Sequence, residues 1–202
     1  MIPYGWLWHN RIVFHTGKDK ELIRTWNGIE PKLHPRSYVN EMAYVSGDVT
    51  IGDKSTVWPA AVIRAEETGS INIESNTHIQ DGSIVHNSDG VLRIGSNVNV
   101  GHSVVIHALS IGDNCLVGNN STLLEGVELG DYCLVAANAV VLNGTKVPDG
   151  SFLAGVPARI RPISPEQRLM LETTADGIFD TVAGYPDFNG GRQEFYKSPN
   201  IS

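Results

Sequence analysis

The chain has 202 residues, 41% of them hydrophobic, which suits one compact domain with short extensions. A formal net charge of −7 argues against a nucleic-acid backbone or an anionic membrane surface as partner. No stretch approaches 18 apolar residues, the start MIPYGWLWHN lacks a basic region followed by an apolar one, and two cysteines build no disulfide framework, so the expected setting is cytoplasmic.

Residues 1–35 are expected to form an N-terminal capping segment in which Trp6, Trp8, Ile12, Phe14 and Trp26 cover the first turn of a repeat region. From residue 36 to 158 an aliphatic residue recurs at every sixth position: Val39, Val45, Ile51, Val57 and Ile63, then Ile73, Ile79 and Val85 after a four-residue insertion. A three-residue insertion precedes Ile94 and Val100. A step of five leads to Val105, and unbroken hexads continue at Ile111, Val117, Leu123, Leu129, Val135, Val141, Val147 and Leu153. Four positions after each aliphatic residue the side chain is small or β-branched, as at Ser55, Ala61, Cys115, Ser121, Cys133 and Ala139. The position directly after the aliphatic residue is often Gly, as at Gly52, Gly95, Gly101, Gly112, Gly118 and Gly130. No 3.6-residue period interrupts this span, so it cannot alternate helices with strands. Short strands turning every six residues build a triangular prism of three hexads per coil. The aliphatic residue points inward, the small residue fits the corner, and Gly tolerates the turn backbone. The pattern resembles the hexapeptide signature of left-handed β-helices, so the expected fold is an all-β solenoid, a left-handed parallel β-helix with a C-terminal α-helix. Cys115 and Cys133, 18 residues apart, become neighbouring reduced core side chains.

The C-terminal part, 159–202, contains Ser164-Pro165-Glu166-Gln167, an N-cap, a helical Pro and a capping-box Gln. Leu171, Ala175, Ile178, Phe179 and Val182 come next at helical spacing and predict a helix packed along the prism.

Chemistry is expected where a repeat violates its own rule. The position after the aliphatic residue, normally small, carries Arg64, Gln80 and His86, beside both insertions. Counting coils, Arg64, His86 and His107 stack along one edge of the prism, with His86 and His107 within a residue of a full coil. Gln80 aligns with Gly101, and Asp81 with His102, on a different face. One chain cannot easily bring all three histidines onto one ion. In a cyclic homotrimer the face with His102 meets the neighbour's edge with His86 and His107, closing one three-histidine metal site per subunit interface. His9, His15 and His34 fall outside the repeat and read as ordinary residues.

The run VIRAEE…HIQDGSIVH…VGHSVVIH…IGDNCLVG, within roughly residues 36–158, resembles the gamma-class carbonic anhydrase family. The resemblance implies His86, His102 and His107 as ligands of Zn²⁺, or of Fe²⁺ or Co²⁺, with His102 given by the adjacent subunit. It gives Arg64 the role of an interface ion-pair partner to Asp81, and Gln80 a hydrogen bond to metal-bound solvent. The activity implied is hydration of CO₂ to bicarbonate by a metal-held hydroxide, with Glu66 as a candidate to receive or relay the proton. Two features differ from the family pattern. The segment after His86, 87–93, is short and carries one carboxylate, Asp89, and His78 stands where many members have Asn. The alternative readings are a hexapeptide-repeat acyltransferase or acyl-CoA thioesterase, and a non-catalytic metal-binding trimeric scaffold.

Overall fold

A six-residue period leaves room for strands of two residues joined by four-residue corners, and the computed structural model, which describes residues 22–185, is built from them. Its strands stack into three parallel sheets around a β-solenoid of about seven turns, the expected architecture. The first face holds Ile23–Arg24, Tyr44–Ser46, Val62–Ala65, Ile84–Asn87, Val105–Ile106, Thr122–Leu123 and Val140–Val141. The second holds Lys32–Leu33, Val49–Ile51, Ser70–Ile73, Val91–Ile94, Ser110–Ile111, Glu128–Leu129 and Lys146–Val147. The third runs from Tyr38–Val39 through Thr56–Val57, His78–Ile79, Asn99–Val100, Leu116–Val117 and Leu134–Val135 to Ser151–Ala154, where antiparallel Arg159–Pro162 closes its edge. The expected cover by Trp6, Trp8, Ile12 and Phe14 lies outside the described residues. Trp26 is partly exposed, bridged to Ile29 across a tight turn.

The repeating aliphatic residues fill the prism as a single buried column per face. One differs from expectation. Ile106, not Val105, points inward and pairs with Val85 and Leu123, while Val105 faces out beside Ile84. The one-residue deletion therefore falls after Ile106, in the corner beyond His107. The two insertions widen the same corner in the preceding coils. There Val62–Ala65, Ser70–Ile73, Ile84–Asn87 and Val91–Ile94 lengthen to four residues and add Ala65, Ile71 and Leu92 to the core.

Corner chemistry departs from the simple glycine argument. The left-handed residue sits three positions after the inward one and is usually not Gly: Lys54, Asn76, Asn97, Asn114, Asn120, Tyr132 and Asn138 all have φ between 52 and 59°. Asparagine tolerates that region best, and here Asn76 also donates to Asn97, and Asn97 to Asn114, in a ladder across coils. The glycines next to the inward residues are needed for close approach instead. A Cβ on Gly118 would lie 2.6 Å from the amide nitrogen of Ala137 and 2.7 Å from the carbonyl oxygen of Val135, both backbone atoms of the next coil. The small corner residues stitch coils together. Thr77 donates to Gly95 O at 2.6 Å while accepting from Val98 N, and Ser83 does the same between Gly101 O and Val104 N. Cys115 repeats the device with sulfur, donating to Gly130 O and accepting from Cys133 N, and both thiols are free and buried.

The capping box forms as expected on helix Pro165–Glu172, with Ser164 and Gln167 exchanging side-chain bonds. The helix is shorter than its apolar spacing predicts. It ends at Glu172, the chain turns through Gly177 at φ 73°, and a short helix Ile178–Thr181 comes next. Two consecutive threonines and a glycine with no side-chain penalty at positive φ favour that break. Leu171, Ala175 and Val182 are still buried. The segment runs back over the third face, with Arg168 over the Tyr132 ring at 3.4 Å and Tyr185 against Tyr38 and Trp58. Gly118→Ala should lower stability by about 1–3 kcal/mol, because only backbone could yield to the new methyl. Urea unfolding reads this directly, and an unchanged midpoint would refute the close-approach argument.

Candidate metal and proton-transfer site

The coil register places Arg64 directly opposite His86 on adjacent strands of the first face. One coil further, Val85 pairs with Ile106, so His86 and His107 stack in full register, with ring centroids 4.9 Å apart. That is the spacing of adjacent strands, so the histidine pair is a consequence of the fold alone. Glu66, on the widened corner beyond Arg64, reaches both side chains: its Oε1 lies 3.0 Å from Arg64 Nη1 and its Oε2 3.3 Å from His86 Nε2. Desolvation and the neighbouring His86 hold the His107 imidazole below its ordinary pKa, favouring the neutral form that can donate a lone pair.

His102 and Asp81 sit at the opposite corner, where the third face turns into the first. They pair with each other, Nδ1 to Oδ2 at 3.1 Å, and both side chains are about half exposed. Asn119 Oδ1 accepts from the His102 amide at 2.9 Å, and Gly101 leaves the room for it. Four residues lie between His102 and His107, the corner at Ser103 and the strand Val105–Ile106 among them, so the two histidines stand at opposite ends of that strand. Among the described residues no three His, Cys, Asp or Glu side chains of one chain come together to hold a metal. Within one chain Arg64 pairs with Glu66, and Asp81 with His102, so an Arg64–Asp81 pair is not made there.

Between the two corners, the outward column of the first face reads Tyr44, Val62, Ile84, Val105, Thr122 and Val140. This largely apolar stripe carries Ile84 at 39% exposure, with Leu142 exposed near its end. The third face, by contrast, is covered by the C-terminal segment.

Gln80 donates its Nε2 to Asn99 Oδ1 at 2.6 Å. Asn99 is a site residue that sequence reasoning missed, because an outward polar residue in a strand carries no signal until its partner is known. His78 is not a polar neighbour of the histidine pair. It is fully buried, its Nε2–H donates to Ala175 O at 3.1 Å, and its Nδ1 accepts from Thr56, whose oxygen accepts from Trp58 Nε1. Burial pushes its pKa down to about 4.

The family model described as "Hexapeptide repeat of succinyl-transferase" matches residues 108–143. Protein YrdA of Escherichia coli is 38% identical over 176 residues, covering 83% of this chain and 95% of that protein. A Methanocaldococcus jannaschii protein described as "Probable carbonic anhydrase" is 56% identical over 119 residues, covering 58% of this chain and 74% of that one. Among solved structures, a hexapeptide transferase family protein from Anaplasma phagocytophilum superposes with a TM-score of 0.74 at 28% identity, covering 82% of this chain and 99% of that chain.

The buried His78 makes stability depend on pH. Its folded pKa lies below the unfolded 6.5, so the unfolded chain takes up a proton that the folded chain refuses. The His78 contribution is complete above pH 6.5 and falls as pH drops toward 4, by at most about 1.4 kcal/mol per pH unit. Urea unfolding at several pH values should show His78→Gln with a shallower slope in this window. Parallel slopes for the two proteins would contradict the assignment.

Proposed function

Because the chain belongs to the gamma carbonic anhydrase-like family of hexapeptide-repeat proteins, we propose that it is a homotrimeric, metal-dependent carbonic anhydrase that hydrates CO₂ to bicarbonate. The observation that carries this reading is the His86–His107 pair stacked at 4.9 Å beside Glu66, with the third histidine of the motif, His102, at the far corner of the same face. Closing the set requires a second chain, and the apolar column between the corners is a surface that a neighbouring chain would cover. In that arrangement His86 and His107 of one subunit and His102 of the next would hold the ion. Zn²⁺, Fe²⁺ or Co²⁺ suits three neutral imidazoles. Such an ion acidifies water to a pKa near 7 and so supplies hydroxide at neutral pH.

The chain's own groups divide the remaining work. With His86 engaged as a ligand, Glu66 would be the carboxylate left to take the proton lost by the reacting water. Arg64, 3.0 Å from Glu66, keeps that carboxylate in place. An ion pair between Arg64 and Asp81 of the neighbouring subunit is part of this reading. Gln80 offers its amide oxygen as acceptor to the reacting water and so orients its lone pair toward CO₂. The balance is CO₂ plus water to bicarbonate plus a proton, the proton passing through Glu66 to solvent. With Asp89 the one carboxylate on the corner after His86, this exit is short of relays and turnover is modest. The acyl-transfer reading draws on the transferase description of the Anaplasma neighbour, but it uses one general base where this chain sets out three histidines.

Protein purified without oxygen should sediment at three times the chain mass with one divalent ion per subunit. His86→Ala, His102→Ala and His107→Ala should each lose the ion under chelator challenge and lose CO₂ hydration. A metal-replete monomer would refute the shared site, and a metal-replete trimer inert toward CO₂ would leave the scaffold reading instead. Glu66→Gln should keep the metal and lower turnover by about 10²-fold, the usual scale for a lost proton acceptor, whereas unchanged turnover would remove Glu66 from the proton path.

A further inference from the structure

The break in the C-terminal helix turns two backbone carbonyls toward the third face. In a continuous helix, Thr174 O and Ala175 O would be consumed by amides four residues on. Here Thr174 O accepts from Asn99 Nδ2 at 3.3 Å, and Ala175 O accepts from the buried His78 ring at 3.1 Å. Asn99 in turn accepts from Gln80 at 2.6 Å.

The direction of this relay is forced from one end. A carbonyl can only accept, so Asn99 must present its NH₂ to Thr174. Its Oδ1 then faces Gln80 and can itself only accept, so Gln80 must answer with its own NH₂. That choice leaves Gln80 Oε1 as the acceptor available to a third group. Without Asn99, the Gln80 amide could flip and present donors instead. The terminal torsion of a glutamine is broad, so nothing local decides between the two states.

We propose that Asn99 is a positioning residue for Gln80, and that the carbonyl of Thr174 sets the sense of the Gln80 amide through it. The C-terminal segment is thus part of the site's architecture as well as a cover for the third face. His78 supports the relay by pinning the adjacent carbonyl, and Tyr185, against Tyr38 and Trp58, pins the end of the segment. The value of an acceptor at Gln80 rests on the proposed hydratase reading. The relay itself does not.

The test uses the full-length protein. Leu116 and Leu134 occupy the position of Asn99 in the next two coils, so Asn99→Leu is a substitution that this repeat already accommodates. In ¹⁵N-labelled protein, the Gln80 side-chain NH₂ signals, identified by their loss in Gln80→Glu, should be widely split and slow to exchange. Asn99→Leu should collapse them toward an ordinary exposed glutamine. Asn99→Asp, which still accepts but cannot donate to Thr174, should keep them while speeding amide exchange around Thr174. In CO₂ hydration, Asn99→Leu should cost about tenfold in kcat/KM and nothing further in a Gln80→Ala background. Unmoved Gln80 signals in Asn99→Leu, or additive losses in the double variant, would overturn the proposal. The spectroscopic arm needs neither metal nor turnover, so a wild-type protein inert toward CO₂ would remove the hydratase reading and leave the relay to stand or fall on the Gln80 signals.

Discussion

Everything in this molecule derives from stacking one coil on the next at the spacing of parallel strands. Most strand amides find their acceptor one coil away, so residues about 18 positions apart are locked in register unless an insertion or deletion intervenes. The lock has costs, met at defined positions. No Cβ is tolerated next to the inward residue where coils touch most closely, a left-handed residue is required at most corners, and the corner side chain must bridge to the next coil or vanish. Once these are met, a histidine repeated one coil later has to stack on its predecessor. The 4.9 Å between His86 and His107 is that spacing expressed in imidazole rings.

The same constraint keeps His102 apart from His86 and His107 on one chain. The first face is bounded by two corners, one carrying Arg64, Glu66, His86 and His107 and the other carrying Asp81 and His102. Strand direction keeps these corners apart, and stacking cannot close the gap, because it brings together only residues on the same edge. In the proposed trimer symmetry would close it, and metal affinity would then depend on assembly, since an isolated chain offers two adjacent imidazoles and no third. On the single chain, Glu66 pairs with His86 and Asp81 with His102.

Much of the fold is legible in the sequence, because period six with inward aliphatics has few structural solutions, and the residues that break the period gather at the two corners of the candidate site. What escapes has physical reasons. Val105 and Ile106 are both aliphatic and adjacent, so the inward residue is decided by pairing with Val85 and Leu123 and not by side-chain type. Resolving it moves the deletion past His107 and turns an approximate alignment of the two histidines into full register. Residue type alone suggests a turn role for the glycines, but that role belongs to asparagines two positions later, and the glycines answer to the backbone of the next coil. The apolar spacing from Leu171 to Val182 suggests one helix, yet Thr173 and Gly177 break it, and the break is what brings Thr174 to Asn99 and Ala175 to His78. Such long-range partners leave no local signature.

The claim that the ion is held between chains is tested most directly by mixing subunits. His86→Ala and His102→Ala subunits, denatured together and reassembled, should give trimers in which one junction still joins an intact His86–His107 edge to an intact His102. Isolated mixed trimers should carry one metal ion each, while either variant alone carries none. Mixed trimers of verified composition without metal would contradict a shared site, since a site assembled within one chain could never be rescued by a neighbour.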